Sequence, residues 1–275
     1  MSDSEQRSTG WQLDRSAPEA YEAYLVPPMF APWAERLLDR ATAREGERVL
    51  DVACGTGIVA RRAAPRVGAE GTVVGLDVNE GMLAEAKANA PAGEPGIEWR
   101  QGDAANLPFD DGNFDVVCCQ QALQFFDDPA AALGEIHRVL APGGRAALSV
   151  WRPLEYNPGY VVLADALERH VSDEAAAMMR SPFPAWELDD LREIADETAF
   201  DEPTVSIEVG SVRYPSVEEF VRREAASSPL SASLAGVEPA VREALVEEVR
   251  SGLRDRIDDE GIVHPMETYV LAGRA

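Results

Sequence analysis

From Arg48 onward the chain alternates between two hydrophobic periods. Short runs rich in β-branched residues at 48–53, 72–77, 97–101, 114–119 and 145–151 predict strands, and the apolar spacing near 57–68, 79–90 and 129–140 predicts helices between them. Local punctuation agrees. Asp128-Pro129 offers an N-cap followed by proline at the first helical position, and Ala141-Pro142-Gly143-Gly144 is a stop. Strand, helix and strand joined by short connections call for right-handed crossovers and a parallel sheet covered on both faces.

The flanks read differently. Residues 1–10 look like a frayed tail, and Ser16-Ala17-Pro18-Glu19 has the form of a capping box. The helix it starts should end at Pro27-Pro28, with a second helix in MFAPWAERLLDRA. After Trp151 the alternation breaks: 153–203 is mostly helical, 204–210 is a strand, 216–258 is helical and 266–273 is the last strand. The organisation expected is a tail with lid helices over 1–45, an α/β core over 46–152, and the rest of the same domain, with helical cap insertions and two more strands, over 153–275.

Composition narrows the function. No apolar run approaches the roughly 18 residues needed to span a bilayer, and the polar start MSDSEQRSTG has no apolar signal segment, so a cytoplasmic protein is expected. Cys54, Cys118 and Cys119 read as reduced, small buried residues, and no cysteine–histidine spacing predicts a metal site. Forty-nine acidic residues face 25 basic ones, a net charge of −24, and Lys87 is the one lysine. Such a field repels phosphate backbones, so a nucleic-acid partner is not expected. It also resembles the surfaces of proteins from salt-accumulating organisms.

The chemistry centres on VLDVACGTGIVARRAA, 49–64. Gly55-Thr56-Gly57-Ile58-Val59-Ala60 satisfies a dinucleotide-binding glycine pattern, and Asp77 closes a strand 20 residues past Gly57. Glycines admit a ligand to the backbone and an acid after the second strand suits ribose hydroxyls, so any adenosine-containing cofactor fits. Asp51 tilts the choice, because a carboxylate just inside the loop opposes a pyrophosphate and suits an ammonium or sulfonium cation. Gly102-Asp103-Ala104 after the third strand sets a carboxylate near an adenine amino group, and Pro142-Gly143-Gly144-Arg145 makes a tight turn into the fifth strand.

VLDVACGTG, VVGLDVNEGML, GDAANLPFDDGNFDVV and EIHRVLAPGGR, in this order and spacing, resemble the class I S-adenosylmethionine-dependent methyltransferases. Within that class the chain is most similar to the type 11 small-molecule group that includes quinone-biosynthesis C-methyltransferases. The resemblance covers about residues 45–152 and implies a seven-stranded sheet in the order 3-2-1-4-5-7-6 with the seventh strand antiparallel. It also implies roles. Asp51, Ala53, Gly55, Thr56 and Gly57 would surround the methionine moiety of S-adenosylmethionine, and Asp77 would bind the ribose. Val78 and Met82 would wall the adenine, Gly102, Asp103 and Ala104 would meet its edge, and Gln120 and Gln121 would lie beside the sulfonium. Ala53 departs from the glycine many members have there, a small change expected to be tolerated.

Other residues carry open readings. Phe125-Phe126 is either the wall of an apolar pocket or core. His137 reads as solvated helix surface, and His170 is undecided. His264 is the candidate general base, since an antiparallel last strand starts at the rim where the parallel strands end; Trp151, Arg152 and Arg213-Tyr214 reach that rim by the same topology. The expected activity is methyl transfer to a small molecule. An NAD-dependent oxidoreductase rests on the same loop and Asp77, but needs a tyrosine–lysine or histidine pair, and Lys87 lies far from where one belongs. A non-catalytic binder of the cofactor is the third reading.

Overall fold

The computed structural model describes residues 17–91, 96–227 and 230–275. Ser16 and the tail before it lie outside the described residues. Two helices, α1 (Ala17–Tyr24) and α2 (Ala31–Ala41), precede β1 (Arg48–Val52), α3 (Ile58–Val67), β2 (Thr72–Asp77), α4 (Glu80–Ala88), β3 (Ile97–Gln101), β4 (Phe114–Gln120), α5 (Pro129–Val139) and β5 (Leu140–Trp151). Every adjacent pair among these five strands is parallel.

Alternation along each strand explains why both faces are covered. Val49, Val73 and Val116 turn towards α2 and α3, while Leu50, Val74 and Val117 turn towards Leu133 and Ile136 of α5. Burying one such branched side chain stabilises by roughly 1.5–3 kcal/mol. α5 starts as its sequence asks, with the Asp128 carboxylate accepting from the Ala131 N–H at 2.9 Å ahead of Pro129.

The second half adds α6 (Pro158–His170), α7 (Asp173–Arg180), α8 (Leu188–Asp196), β6 (Asp201–Tyr214), α9 (Val217–Ser227), α10 (Leu230–Ala235), α11 (Pro239–Gly252), β7 (Ile257–Asp258) and β8 (Gly261–Arg274). β8 runs antiparallel between β5 and β6, giving the order β3-β2-β1-β4-β5-β8-β6, with β7 paired to β8. The expected order therefore holds, with one extra two-residue strand shifting the number of the last. α6, α7, α9 and α11 bury their apolar sides in a third cluster with Tyr214, Ile262 and Met266.

Four boundaries differ from expectation, each for a physical reason. β5 starts at Leu140 rather than 145, because Leu140 already pairs with Phe114 and the Ala141–Gly144 segment read as a stop is an irregularity inside the ladder, before Arg145 pairs with Val116. Pro27-Pro28 does not break the chain's helical course: Val26–Phe30 forms a π-helical turn between α1 and α2. The prolines sit in its first turn, where missing N–H groups cost no intrahelical bond. β6 is longer than 204–210 because Gly210 to Tyr214 continue the ladder to Met266 through Ile262. β8 begins before 266 even though Pro265 lies within it. Pro265 pairs with Ser211 alone, since β5 joins β8 only from Thr268, so β8 is locally an outer strand there.

Candidate functional site

The carboxyl ends of β1, β2 and β4 carry the site. Past Val52 the backbone enters the left-handed region at Ala53 (φ 52°), Gly55 (55°) and Gly57 (85°). The two glycines serve different ends. A Cβ at Gly57 would stand 2.2 Å from the Trp99 ring, whereas one at Gly55 would meet nothing within 4 Å. Gly57 thus makes room for the indole and caps α3, while Gly55 keeps an open backbone face. Ala53 takes the same region with a Cβ, a strain of about 1–2 kcal/mol.

Asp51 is buried at the end of β1 and accepts the Ala60 N–H at 2.9 Å, so it satisfies an orphan donor at the start of α3. Burial, with the nearby Asp77 charge adding to it, pushes its carboxyl up to about 8. Asp77 accepts the Gly55 N–H at 2.7 Å through one oxygen and the Asn79 N–H at 2.8 Å through the other. Burial raises its pKa too, against those two backbone bonds. Two carboxyls resisting ionisation in one niche form a place where an incoming cation is electrostatically favoured.

A cavity of about 1020 Å³ opens there, above the few-hundred-Å³ scale of a single small-ligand pocket. Ala53, Gly55, Asp77, Val78, Met82, Gly102, Asp103, Ala104, Gln120 and Gln121 all line it. Asp51 and Thr56 line a small adjoining recess that shares Ala53, Gly55 and Gln120 with the cavity. Of the residues expected around a cofactor, Gly57 lines neither. The Thr56 hydroxyl oxygen and Gln121 Oε1 are buried with no hydrogen-bond partner, which is what a polar ligand in the recess and along the wall would correct. The residues present therefore fit an adenosine-bearing, cationic cofactor.

Apart from Asn79, Asp127, Asp128 and Glu224, the rest of the wall is mostly apolar and aromatic. Tyr21, Leu25, Met29 and Phe30 come from α1 and the π turn, Trp151 from β5, Tyr160 from α6, Met179 from α7, Met266 from β8, and Pro182 and Phe183 follow α7. Phe125 and Phe126 also line it. Gln120 donates to the Phe30 carbonyl at 2.9 Å, and Arg61 of α3 pairs with Glu22 of α1 at 2.6 Å, so the cover is tied to the core on two sides.

His264 is not brought to this cavity. It is fully buried among Tyr160, Tyr214 and Phe220, with ring centroids 5.2–6.3 Å away, and its Nε2 has no partner. Burial depresses its pKa to about 4, so it is a neutral imidazole. The strand start does reach the rim, but the side chain turns into the cap's core. Arg152 pairs with Glu267, and Arg213 pairs with Asp258 at 2.6 Å. His170 joins α6 to α11 by a 2.5 Å contact with Glu248, and His137 sits half-buried edge-on to Phe200. All three cysteines are free and buried, and burial raises their thiol pKa values.

Sequence reasoning missed Glu224. Its Oε1 accepts hydrogen bonds from the hydroxyls of Tyr160 at 2.7 Å and Tyr214 at 2.8 Å, and it lines the cavity. Burial pushes its carboxyl up to about 7, against the two tyrosine bonds. The signal was present: Val217, Phe220, Val221, Glu224 and Ser227 form the buried stripe of α9, and a glutamate at a core position needs a reason.

Residues 50–148 match the methyltransferase domain family. The chain carries a methyltransferase domain. Among its relatives, the 2-phytyl-1,4-naphtoquinone methyltransferase of Nostoc punctiforme is 40% identical over 118 residues, 42% of this chain and 51% of that protein. The chain thus spans about half the length of the relatives it matches. A Bacillus halodurans structure solved as a candidate methyltransferase aligns over 88% of this chain and 97% of its own, with 25% identity and a TM-score of 0.57. Phosphoethanolamine N-methyltransferase 2 of Haemonchus contortus, solved with S-adenosyl-L-methionine, shares the fold over 95% of this chain and 57% of its own, with 22% identity and a TM-score of 0.59. The nicotinamide-dependent reading finds no support in these matches. Among the described residues, no helix of the protein bearing this methyltransferase domain is long and apolar enough to cross a membrane.

Proposed function

We propose that the protein transfers a methyl group from S-adenosylmethionine to a small, apolar acceptor. One observation carries this reading: a single cavity joins Gly55 and the Asp77 carboxyl to an aromatic and methionine-lined chamber under α1, with Asp51 in the adjoining recess. Such a cavity can hold a cofactor and a second molecule together, with water kept out.

Bound there, S-adenosylmethionine would supply a methyl group already activated on a sulfonium. Asp77 would hold the ribose hydroxyls, because each of its oxygens keeps acceptor capacity beyond its backbone bond. Val78 and Met82 would flank the adenine, with Gly102, Asp103 and Ala104 along its edge. Asp51, Thr56 and the open face of Gly55 would take the methionine portion, Asp51 ionising as the cation arrives. Gln120 and Gln121 would border the reacting end. His264 would support Tyr160 and Tyr214 from behind rather than touch the acceptor. The chain's main catalytic work is alignment and exclusion of water, which is where an in-line displacement gains most.

Calorimetric titration with S-adenosylmethionine, S-adenosylhomocysteine and NAD, in low and in molar salt, tests the reading. Micromolar binding of the first two, abolished by Asp77→Ala in a chain that still unfolds cooperatively, is expected. Binding of NAD alone would overturn it.

A further inference from the structure

Strand β4 ends on the cavity wall in two glutamines with different surroundings. Gln120 borders both the cavity and the adjoining recess, and its Nε2 donates to the Phe30 carbonyl at 2.9 Å. Gln121 borders the cavity and not the recess, and its backbone turns into the left-handed region at φ 54°. Glycine would take that conformation without strain, so a long side chain held there points to function. The turn is held from both ends. The Gln121 N–H donates to the Ser149 carbonyl at 2.8 Å, and Gln124 Nε2 donates to the Gln121 carbonyl at 3.1 Å. The same Nε2 lies 3.3 Å from the carbonyl of Pro182, another residue of the cavity wall.

The Gln121 side chain is oriented as well. Its Nε2 donates to the Thr268 hydroxyl at 3.0 Å, and that hydroxyl lies 2.6 Å from the Val150 carbonyl and 3.1 Å from the Tyr269 carbonyl. A hydroxyl has one proton, and with that proton on a carbonyl Thr268 can only accept from Gln121. The amide therefore turns its NH2 to Thr268, which leaves Oε1 as the other end. Gln121 is 6% exposed, and this Oε1 is buried with no hydrogen-bond partner. The anchoring point also lies on the chamber side. Thr268 pairs with Trp151 and stands two residues from Met266, and both of these line the apolar chamber.

We propose that Gln121 is a specificity-determining residue for the methyl acceptor, its Oε1 accepting a hydrogen bond from an O–H or N–H group on an otherwise apolar molecule. The inference rests on the reading of the cavity as a methyl-transfer site, and names a polar group that its acceptor carries. A neutral amide oxygen accepts a hydrogen bond without taking the proton, so Gln121 orients the acceptor and does not activate it. An enclosed oxygen without a donor is costly, so a molecule that supplies one is favoured over a molecule of the same shape that does not.

Two matched pairs of probes test this at neutral pH in the full chain. 2-Naphthol and 2-fluoronaphthalene share a shape and differ in an O–H; indole and benzofuran differ in an N–H. Dissociation constants are measured by ligand-observed NMR, with and without S-adenosylhomocysteine. In at least one pair the donor member is expected to bind about tenfold more tightly than its partner. The pair that shows it tells a hydroxyl from an N–H. Gln121→Met keeps the side-chain length and the strained backbone but has no amide oxygen. It should bring the members of that pair to within about twofold of each other, with the donor-free member still bound. Equal affinities within both pairs in the wild-type chain, tighter binding of the donor-free members, or no binding of 2-naphthol or indole at millimolar concentration would overturn the proposal, and none of these needs the variant to fold. A donor preference that survives in Gln121→Met would overturn it as well. The cofactor titration is read separately. Donor preference without cofactor binding would refute the methyl-transfer reading and leave the role of Gln121 in ligand choice standing; cofactor binding without donor preference would do the reverse.

Discussion

At the scale of single residues, the loop's two glycines separate packing from binding. Gly57→Ala would drive a Cβ into Trp99 at a positive φ, and we expect a loss of about 2–4 kcal/mol by denaturant unfolding, partly recovered when Trp99→Ala is added. Asp51 gives a pH signature. Its pKa is higher folded than unfolded, so the native chain binds the extra proton between about pH 4 and 8, and stability falls as pH rises through that window. Asp51→Asn can still accept from Ala60 and has no proton to lose. Its stability relative to the wild type should therefore grow from pH 5 to 8, by on the order of a few kcal/mol; parallel pH profiles would refute the buried-acid account. The individual roles were unevenly legible. The places of Asp77 and Gly55 on the cavity wall were readable because each sits in a motif, the end of a strand or a glycine loop, that its immediate neighbours define. Glu224 was not, because its meaning comes from Tyr160 and Tyr214, 64 and 10 residues away.

At the scale of elements, the cover over the cavity is held by α9, where Ser227 donates to the Ala20 carbonyl at 3.2 Å, and by one enclosed ion pair to α3. The Glu22–Arg61 pair joins α1 to α3 with side-chain exposures of 13% and 16%, and breaking one partner of so enclosed a pair leaves the other charge uncompensated. Glu22→Gln should free α1 before the core: hydrogen exchange across 17–30 should accelerate by about tenfold while β1 and β4 keep their protection. Uniform acceleration everywhere would mean that α1 unfolds only with the whole chain. The elements themselves were readable where burial imposes one pattern. β1, β2 and β4 are flanked by turn residues and rich in β-branched side chains, so their bounds came close, whereas β5 starts five residues early, through the Pro-Gly-Gly segment that read as a stop. The later strands were under-read because β6 is half solvated and β8 contains a proline, features that weaken the local signal while the ladder between them supplies the order. The first helix does end before Pro27-Pro28, but the π-helical turn that carries the chain through them was not legible, because proline's lost donor matters only where a helix would have used it.

At the scale of the whole molecule, β3 and β6 are the outer strands at the two ends of the sheet order. β3 is five residues long, with Glu98 and Arg100 paired along it, and offers little to an approaching chain. β6 is fourteen residues long and exposes Ile207 and Val209, at 42% and 57%. Its outward positions are occupied from α2. Arg36 donates to the Val209 carbonyl at 2.8 Å, and Arg40 donates to the Ser206 hydroxyl at 2.8 Å with Glu208 at 3.5 Å. Charged side chains on an outer strand are a known defence against strand addition by other copies. The Arg36→Ala, Arg40→Ala double variant should therefore sediment faster as concentration rises while the wild type does not; identical profiles would show the strand protected by other means. Long-range repulsion between chains of charge −24 weakens in salt, so in a crowded, saline solution two arginines on a neighbouring helix would decide whether a chance encounter ends in separation or in a shared fibre.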